Sequence, residues 1–204
     1  ATADDTEVRN NLFASAINWW VGVRGKSADN LSGVNLHNNL IGTSPDGRSA
    51  NTTVLEAQTS GLSADYTSDL AVKDNIFASV LATAVPWCAR ITTSQNPTVR
   101  GNYFGWAVDG RVSLGGCQGF TLEGVTGGMV GGSDATDRNY FSNTTLSLIG
   151  GSGIAAKGNY FGFAPDGETI EQNLSTGIRI GGGSSHFIGG LGADDGNVVA
   201  AKAP

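Results

Sequence analysis

One twelve-residue pattern occurs three times in this 204-residue chain. Its copies are Val99–Gly110, Ala156–Gly167 and Leu36–Gly47; the first two share Gly-Asn-Tyr-Phe-Gly, and all three end in Asp-Gly. Units that recur along a chain bury their apolar faces on one another, so the pattern predicts a repeat protein. No stretch between the copies has the composition of a linker, so residues 1–204 are predicted to form a single domain.

The pattern belongs to a longer series in which an asparagine is followed by two large apolar residues. We call its members the anchor asparagines: Asn11, Asn39, Asn75, Asn102, Asn139, Asn159 and Asn197. Alternate members lie 57 to 64 positions apart, which defines a super-repeat of about sixty residues. We assign two anchored rungs and one further, Gly-rich rung to each super-repeat, so that a rung takes about twenty residues.

The apolar residues between these turns alternate with polar ones over short runs, as in Ile178-Arg179-Ile180 and Phe120-Thr121-Leu122. Alternation with a period of two, over runs too short for a helix, indicates β-strands. Gly is unusually abundant, at 31 residues, and only 15% of residues are charged, which favours tight turns over surface helices. The sequence therefore predicts an all-β parallel β-helix of nine to ten rungs, roughly 45 Å long at about 4.8 Å per rung.

The order of these motifs resembles a known family. Gly-Asn-Tyr-Phe-Gly, an Asp-Gly turn, Gly-Ile-Arg-Ile-Gly-Gly-Gly, Ile-Gly-Gly and Gly-Asn-Val-Val look like the right-handed parallel β-helix repeats of bacterial and archaeal secreted and cell-surface proteins, the pectate-lyase-like solenoids. The resemblance implies a right-handed coil and an extracellular or cell-surface location. It implies no particular activity, because such repeats occur in enzymes, adhesins and structural fibres.

Two residues after each anchor asparagine stands a large apolar side chain that we predict to form an interior column. Its members are Phe13, Ile41, Phe77, Phe104, Phe141 and Phe161, with Val199 closing the series. The anchor asparagines are predicted to lie at turns, in the left-handed conformation that Asn tolerates, and to bond to one another along the axis. Both series are interpreted as structural.

Three Asp-Gly turns, at Asp46, Asp109 and Asp166, are predicted to carry outward loops. These carboxylates are the weak candidates for a metal site, with calcium as the ion, although they belong to alternate units and are expected not to be adjacent. The sequence otherwise predicts no metal and no cofactor.

The two cysteines, Cys88 and Cys117, follow successive anchor asparagines by 13 and 15 residues. Neighbouring rungs would bring them close enough for a disulfide, and the alternatives of two buried thiols or a reactive thiol stay open.

No catalytic residues are predicted. A glycosidase needs two carboxylates that converge on one face, and alignment on the anchor asparagines finds no such pair outside the Asp-Gly turns. The best candidates for a binding role are Trp19 and Trp20, because adjacent strand residues point to opposite faces and one ring can face outward to contact a glycan.

The net charge of −6, with no basic stripe in the sequence, argues against a nucleic-acid partner, and no apolar run is long enough to span a membrane. We therefore expect a non-catalytic extracellular rod of structural or adhesive type, whose partner is another copy stacked end to end or a cell-surface glycan or protein. The chain is alternatively a segment of a longer solenoid. The second hypothesis for function is a carbohydrate-active enzyme or a glycan-binding module.

Overall fold

A computed structural model of the protein describes residues 5–14, 19–27, 29–50, 60–78, 87–115, 117, 119–170 and 177–200, without the side chains of Trp19, Trp20 and Ser60. The strands in these residues are short, and a three-residue 3-10 helix, Ala135–Asp137, interrupts them once. In chain order the strands are β1 (Glu7–Arg9), β2 (Leu12–Phe13), β3 (Trp19–Arg24), β4 (Leu31–Ser32), β5 (Asn35–His37), β6 (Leu40–Ile41), β7 (Ser60–Asp65), β8 (Thr67–Ser68), β9 (Ala71–Lys73), β10 (Ile76–Phe77), β11 (Ala89–Thr92), β12 (Thr98–Arg100), β13 (Tyr103–Phe104), β14 (Phe120–Glu123), β15 (Met129–Gly131), β16 (Tyr140–Phe141), β17 (Leu146–Ile149), β18 (Ala155–Lys157), β19 (Tyr160–Phe161), β20 (Ile178–Ile180), β21 (Phe187–Ile188) and β22 (Val198–Val199).

The strands form three long parallel sheets that run along the axis of a coil. The first sheet has the order β1-β5-β9-β12-β15-β18-β21, the second β2-β6-β10-β13-β16-β19-β22, and the third β20-β17-β14-β11-β7-β3. A fourth, two-stranded sheet pairs β4 with β8. Every strand pairs in parallel with the equivalent strand of the next turn, so the predicted right-handed parallel β-helix is confirmed.

The number of turns differs from the prediction of nine to ten rungs. The described residues give seven strands in the first and second sheets, one per turn, and paired residues of the first sheet are 26 to 36 positions apart. The Gly-rich strings that we counted as extra rungs are instead β14 and β20, the third strands of turns already counted. Six steps of about 4.8 Å give a stack about 29 Å long, and the sixty-residue super-repeat corresponds to two turns.

Apolar side chains fill the interior of the coil from all three sheets. The interior column that follows the anchor asparagines pairs in register from Phe13 to Val199. Its rings stack almost parallel: centroids are 5.0 Å apart between Phe77 and Phe104, and 4.7 Å between Phe104 and Phe141. Ile41, Phe77, Phe104, Phe141 and Phe161 are at most 1% exposed, so these residues are the centre of the core.

The anchor asparagines form a continuous hydrogen-bonded ladder at the corner between the first and second sheets. Each of the first six donates its Nδ2 to Oδ1 of the next, over 2.9–3.1 Å. At five of the seven anchors the left-handed conformation falls on the preceding residue, for example Asn38 and Asp74 at φ 54° and Gly101 at φ 65°, whereas Arg138 before Asn139 is extended at φ −63°. Our prediction that the anchors themselves adopt it is wrong, because none of them has a positive φ.

Three β-hairpins leave the coil directly after the second sheet, in the second, fourth and sixth turns. Antiparallel bridges close them between Thr43 and Ala50, Trp106 and Ser113, and Phe163 and Ile170. The hairpins touch one another: Val108 N donates to Gly47 O over 3.0 Å, and a Cβ on Gly110 would lie 2.7 Å from Pro165 Cβ. The three Asp-Gly turns thus belong to alternate turns of the coil, as predicted, and their hairpins are long enough to meet across the intervening turn.

Cys88 and Cys117 are joined in a disulfide between the third and fourth turns, with their Cα atoms 5.2 Å apart. Both residues precede the third-sheet strands β11 and β14, so the bond links equivalent positions of adjacent turns. In the part of the chain that the structure describes, no helix has the length and apolarity needed to cross a membrane.

Candidate functional site

The residue directly after each anchor asparagine points away from the core, because successive strand residues face opposite sides of a sheet. We call these residues the outer column: Leu12, Leu40, Ile76, Tyr103, Tyr140, Tyr160 and Val198, which pair in register along the second sheet. Its middle section is aromatic. Tyr103, Tyr140 and Tyr160 are each half-buried, so part of every ring faces solvent.

The three tyrosine rings pack edge to face. Ring centroids are 5.6 Å apart at 85° between Tyr103 and Tyr140, and 5.5 Å apart at 69° between Tyr140 and Tyr160. This arrangement is favoured by the ring quadrupole, because it places the edge of one ring against the face of the next. Burial raises the pKa of Tyr103 and of Tyr140, so both hydroxyl groups are neutral at physiological pH.

A groove of about 460 Å³ lies over this part of the outer column. We call it the tyrosine groove. Its floor is Ile76, Tyr103 and Tyr140; Val108 of the fourth-turn hairpin lines it, and so do Ala135 and Thr136 of the 3-10 helix. The volume falls within the roughly 300–1,000 Å³ typical of small-ligand sites.

The polar groups of the tyrosine groove are few. Asp74, in the turn before Asn75, contributes a carboxylate to which no described residue donates a hydrogen bond. Desolvation raises its pKa, an effect that the positive charges of Lys73 and His37 oppose and that of Asp137 reinforces. Gly101 leaves room for this carboxylate, since a Cβ there would collide with Asp74 Oδ1.

Arg138 closes the groove at its other end. Its guanidinium lies 4.9 Å from the centroid of the Tyr160 ring, in cation–π geometry, and its Nη2 is 3.0 Å from Asp194 Oδ1. Among the described residues, none accepts a hydrogen bond from the buried Nε of Arg138. The positive charge is thus already engaged by Asp194, and the groove as a whole is aromatic and polar, without a dominant charge.

Beside the groove, the first sheet brings basic residues into one row. Arg9, His37, Lys73 and Arg100 pair in register across four turns. The sequence showed no basic stripe, because these residues are about thirty positions apart. Acidic neighbours offset two of the charges: Arg9 Nε is 3.3 Å from Glu7 Oε2, and Arg100 Nη1 is 3.2 Å from Asp137 Oδ2.

The third sheet brings two carboxylates into one column, a convergence that our alignment on the asparagines missed. Asp65, Thr92 and Glu123 pair in register, so Asp65 and Glu123 are two turns apart. Each carboxylate has a cationic partner: Asp65 with Arg24 Nη2 at 3.0 Å, and Glu123 with Arg90 Nη2 at 2.5 Å. These contacts account for both groups as structural ion pairs on the outer surface.

The three weak metal candidates each bond within their own hairpin. Asp46 Oδ1 accepts from Ser44 Oγ at 2.5 Å, which lowers the Asp46 pKa, and Asp109 Oδ1 accepts from Arg111 N at 3.0 Å. Asp166 accepts from the backbone N–H and hydroxyl of Thr169, which lowers its pKa. Within the described ranges, no group of three or more His, Cys, Asp or Glu residues could hold a metal ion.

Trp19 and Trp20 begin strand β3, but their side chains lie outside the described part of the chain. A glycan contact there stays a prediction. The other two tryptophans do not form a surface platform: Trp106 is fully buried and Trp87 is half-buried.

The residues of the tyrosine groove were missed in the sequence. The available signal was strand parity, because a residue next to an interior Phe must face outward. The walls were not predictable, since the fourth-turn hairpin and the 3-10 helix approach the groove through tertiary contacts.

Comparison with known proteins adds no relative: no protein-family profile, curated protein or solved structure matches the chain.

Proposed function

We propose that the chain is a non-catalytic, extracellular rod of structural or adhesive type, and that such rods join end to end. The observation that supports this most strongly is the direction of the asparagine ladder. Every bond runs the same way, from the Nδ2 of one turn to the Oδ1 of the next. A directional ladder has two different ends, which are complementary to each other.

The two ends match in their hydrogen-bonding groups. Among the described residues, Asn11 Oδ1 receives no donor, whereas the backbone N–H of Asn197 and one Nδ2 hydrogen have no acceptor. In the later turns the outer-column residue donates its N–H to the anchor carbonyl of the turn before, for example Leu40 to Asn11 and Val198 to Asn159. Leu12 N–H and the Asn197 carbonyl would repeat this bond between two copies.

The last turn also carries apolar surface that equivalent residues bury inside the stack. Val199 is 59% exposed, whereas Phe161, its partner in the turn before, is fully buried. Ile188 is likewise 42% exposed, whereas its partner Ala156 is fully buried. Exposed strand edges of this kind are templates for pairing with a further strand. Covering them with the first turn of a second copy in parallel register keeps the interior column continuous.

The resemblance to pectate-lyase-like solenoids supports the extracellular location. It also supports the alternative that the chain is a carbohydrate-active enzyme or a glycan-binding module. Of these two, the tyrosine groove favours the binding module, because its aromatic floor is suited to contact with a ligand and its carboxylate, Asp74, stands alone.

The test is assembly measured by sedimentation and negative-stain microscopy of the whole chain. We expect concentration-dependent oligomers or filaments, and we expect Leu12→Pro and Val199→Asp each to abolish them. Leu12→Pro removes the N–H that faces the end of the rod, at an edge strand that tolerates proline. Val199→Asp places a charge on the other end. A mixture of the two variants should form heterodimers, because each retains one intact end.

Val112→Asp is the matched control, because Val112 lies in the fourth-turn hairpin and is similarly exposed, at 50%. Assembly should survive this change. Discrete rods of one chain at every concentration, or equal loss of assembly in Val112→Asp and Val199→Asp, would contradict the proposal.

A further inference from the structure

We propose that the tyrosine groove binds a neutral oligosaccharide, with sugar rings against Tyr103 and Tyr140 and a sugar hydroxyl donating to the Asp74 carboxylate. This site lies on the side of the coil and does not depend on end-to-end stacking. It is also distinct from Trp19 and Trp20.

The floor has the chemistry that one face of a pyranose requires. A sugar ring presents axial C–H groups on one face and hydroxyls around its rim. Tyr103 and Tyr140 offer half-buried rings whose hydroxyls stay neutral, so they combine apolar contact with polar groups at the edge. Ile76, buried at 7% exposure, continues the floor as apolar surface toward the preceding turn.

The walls of the groove supply polar groups for the rim of the sugar. Asp74 is the clearest, because its carboxylate lines the groove and receives no hydrogen bond from the described residues. Asp74 is exposed to solvent, so its carboxylate is open to a hydroxyl donor from a ligand. Thr136, exposed on the 3-10 helix, is a second polar residue that lines the groove.

The charges favour a neutral ligand over an anionic one. The chain carries a net charge of −6, and Asp74 places a negative group inside the groove. Arg138 is the cation of the groove, and Asp194 and the Tyr160 ring already engage it. A sulfated or uronic-acid chain would meet the negative charge of Asp74 inside the groove, and the nearby cations Lys73 and His37 lie in the row beside the groove and not among its lining residues. A nucleobase could stack on tyrosine, but its phosphates would meet the same repulsion.

The test is calorimetric titration of the whole chain with defined probes. Neutral probes are cellotetraose, maltotetraose and mannotetraose; comparison probes are a uronic-acid tetrasaccharide, a sulfated tetrasaccharide and an oligothymidylate. We expect at least one neutral probe to bind more tightly than every anionic one. Tyr103→Ala should weaken that binding about tenfold or more, as loss of an aromatic stacking partner does.

Three further variants keep the test decisive if Tyr103→Ala folds poorly. Tyr103→Phe retains the ring and should keep most of the affinity. Asp74→Asn should weaken binding severalfold. Val112→Ala lies on the exposed hairpin and should not change the affinity. Tighter binding of an anionic probe, no binding of any neutral probe at millimolar concentration, or unchanged affinity in both Asp74→Asn and Tyr103→Ala would overturn the proposal.

Discussion

Tyr103 and Phe104 are neighbours in one two-residue strand, yet they belong to columns with opposite properties. The Phe104 ring is fully buried and lies almost parallel to Phe141, at 7° and 4.7 Å between centroids. The Tyr103 ring is half-buried and stands at 85° to Tyr140, at 5.6 Å. The inner column is surrounded by core on every side, whereas the outer column has protein on one side and a groove on the other.

The difference shows that the two neighbouring aromatic residues of the repeated motif have different roles. An interior ring has to match the rings above and below it, because a close-packed core tolerates little change in volume. An outer residue only has to fit the pleat of the sheet, so Leu, Ile, Tyr and Val all occur there. The residues of the interior column are therefore explained by the stacking of the turns. The change from aliphatic residues to tyrosine in the outer column marks the surface where we propose that a ligand binds.

Truncation of an inner ring should have the largest effect on stability. We expect Phe141→Ala to lower the free energy of unfolding by about 3–5 kcal/mol, since it empties a fully buried site between two stacked rings. The neighbouring change Tyr140→Ala should cost less, about 1–2 kcal/mol, because the ring is half-buried and loses two edge-to-face contacts. Urea unfolding of the two variants measures both losses in the free energy of unfolding. Equal losses would contradict the distinction between the inner and the outer column.

Removal of the disulfide should cost slightly less. Cys88→Ala combined with Cys117→Ala is expected to lower the free energy of unfolding by about 2–4 kcal/mol, because the bond closes a loop across 29 positions of sequence. The control is reductant, which should destabilise the wild-type chain and leave the double variant unaffected. Insensitivity of the wild type to reductant would show that the bond contributes nothing.

A break in the middle of the asparagine ladder should be more costly than one at its end. Asn102→Ala removes the Oδ1 that accepts from Asn75 N at a buried corner, and should cost about 1–3 kcal/mol because this N–H loses its acceptor, whereas Asn75 Nδ2 keeps the carbonyls of Leu36 and Lys73. Asn11→Ala should cost less, since Asn11 is exposed and its Oδ1 receives no donor in the described residues. The two denaturation midpoints provide the comparison.

The smallest effect on stability is expected for the loop before β22, in which Asp195 accepts several hydrogen bonds. Hydrogen bonds from Ser133 Oγ at 2.7 Å, Gly192 N and Lys157 lower the pKa of this carboxyl from its usual 3.8 to about 2. A lowered pKa stabilises the folded state above pH 4, and this contribution is lost as the pH falls from 4 toward 2. Melting temperatures of wild type and Asp195→Asn should therefore differ above pH 4 and converge near pH 2. A difference that grows as the pH falls would contradict this sign.

The sequence predicted the coil well because stacking acts on residues that repeat. Period-two alternation and the recurrence of Asn followed by Phe were enough to give parallel strands and the interior column. The predicted number of turns was wrong because β14 and β20 look like separate rungs in the sequence. The turn of the coil to which a strand belongs depends on where the chain bends, and the sequence pattern did not show this. The tyrosine groove was beyond the sequence, since the fold brings Asp74, Val108 and Thr136 together from three different turns.

Hydroxyl-radical footprinting with peptide mass spectrometry tests the central claim most directly, because it reads the exposure of Tyr103 and Phe104 in the same peptide. With rates normalised to the unfolded chain, we expect oxidation of Tyr103 and Tyr140 in the native state and protection of Phe104 and Phe141. A binding neutral oligosaccharide should then protect the two tyrosines as well. Equal oxidation of Tyr103 and Phe104 in the native protein would contradict the assignment of an inner and an outer column.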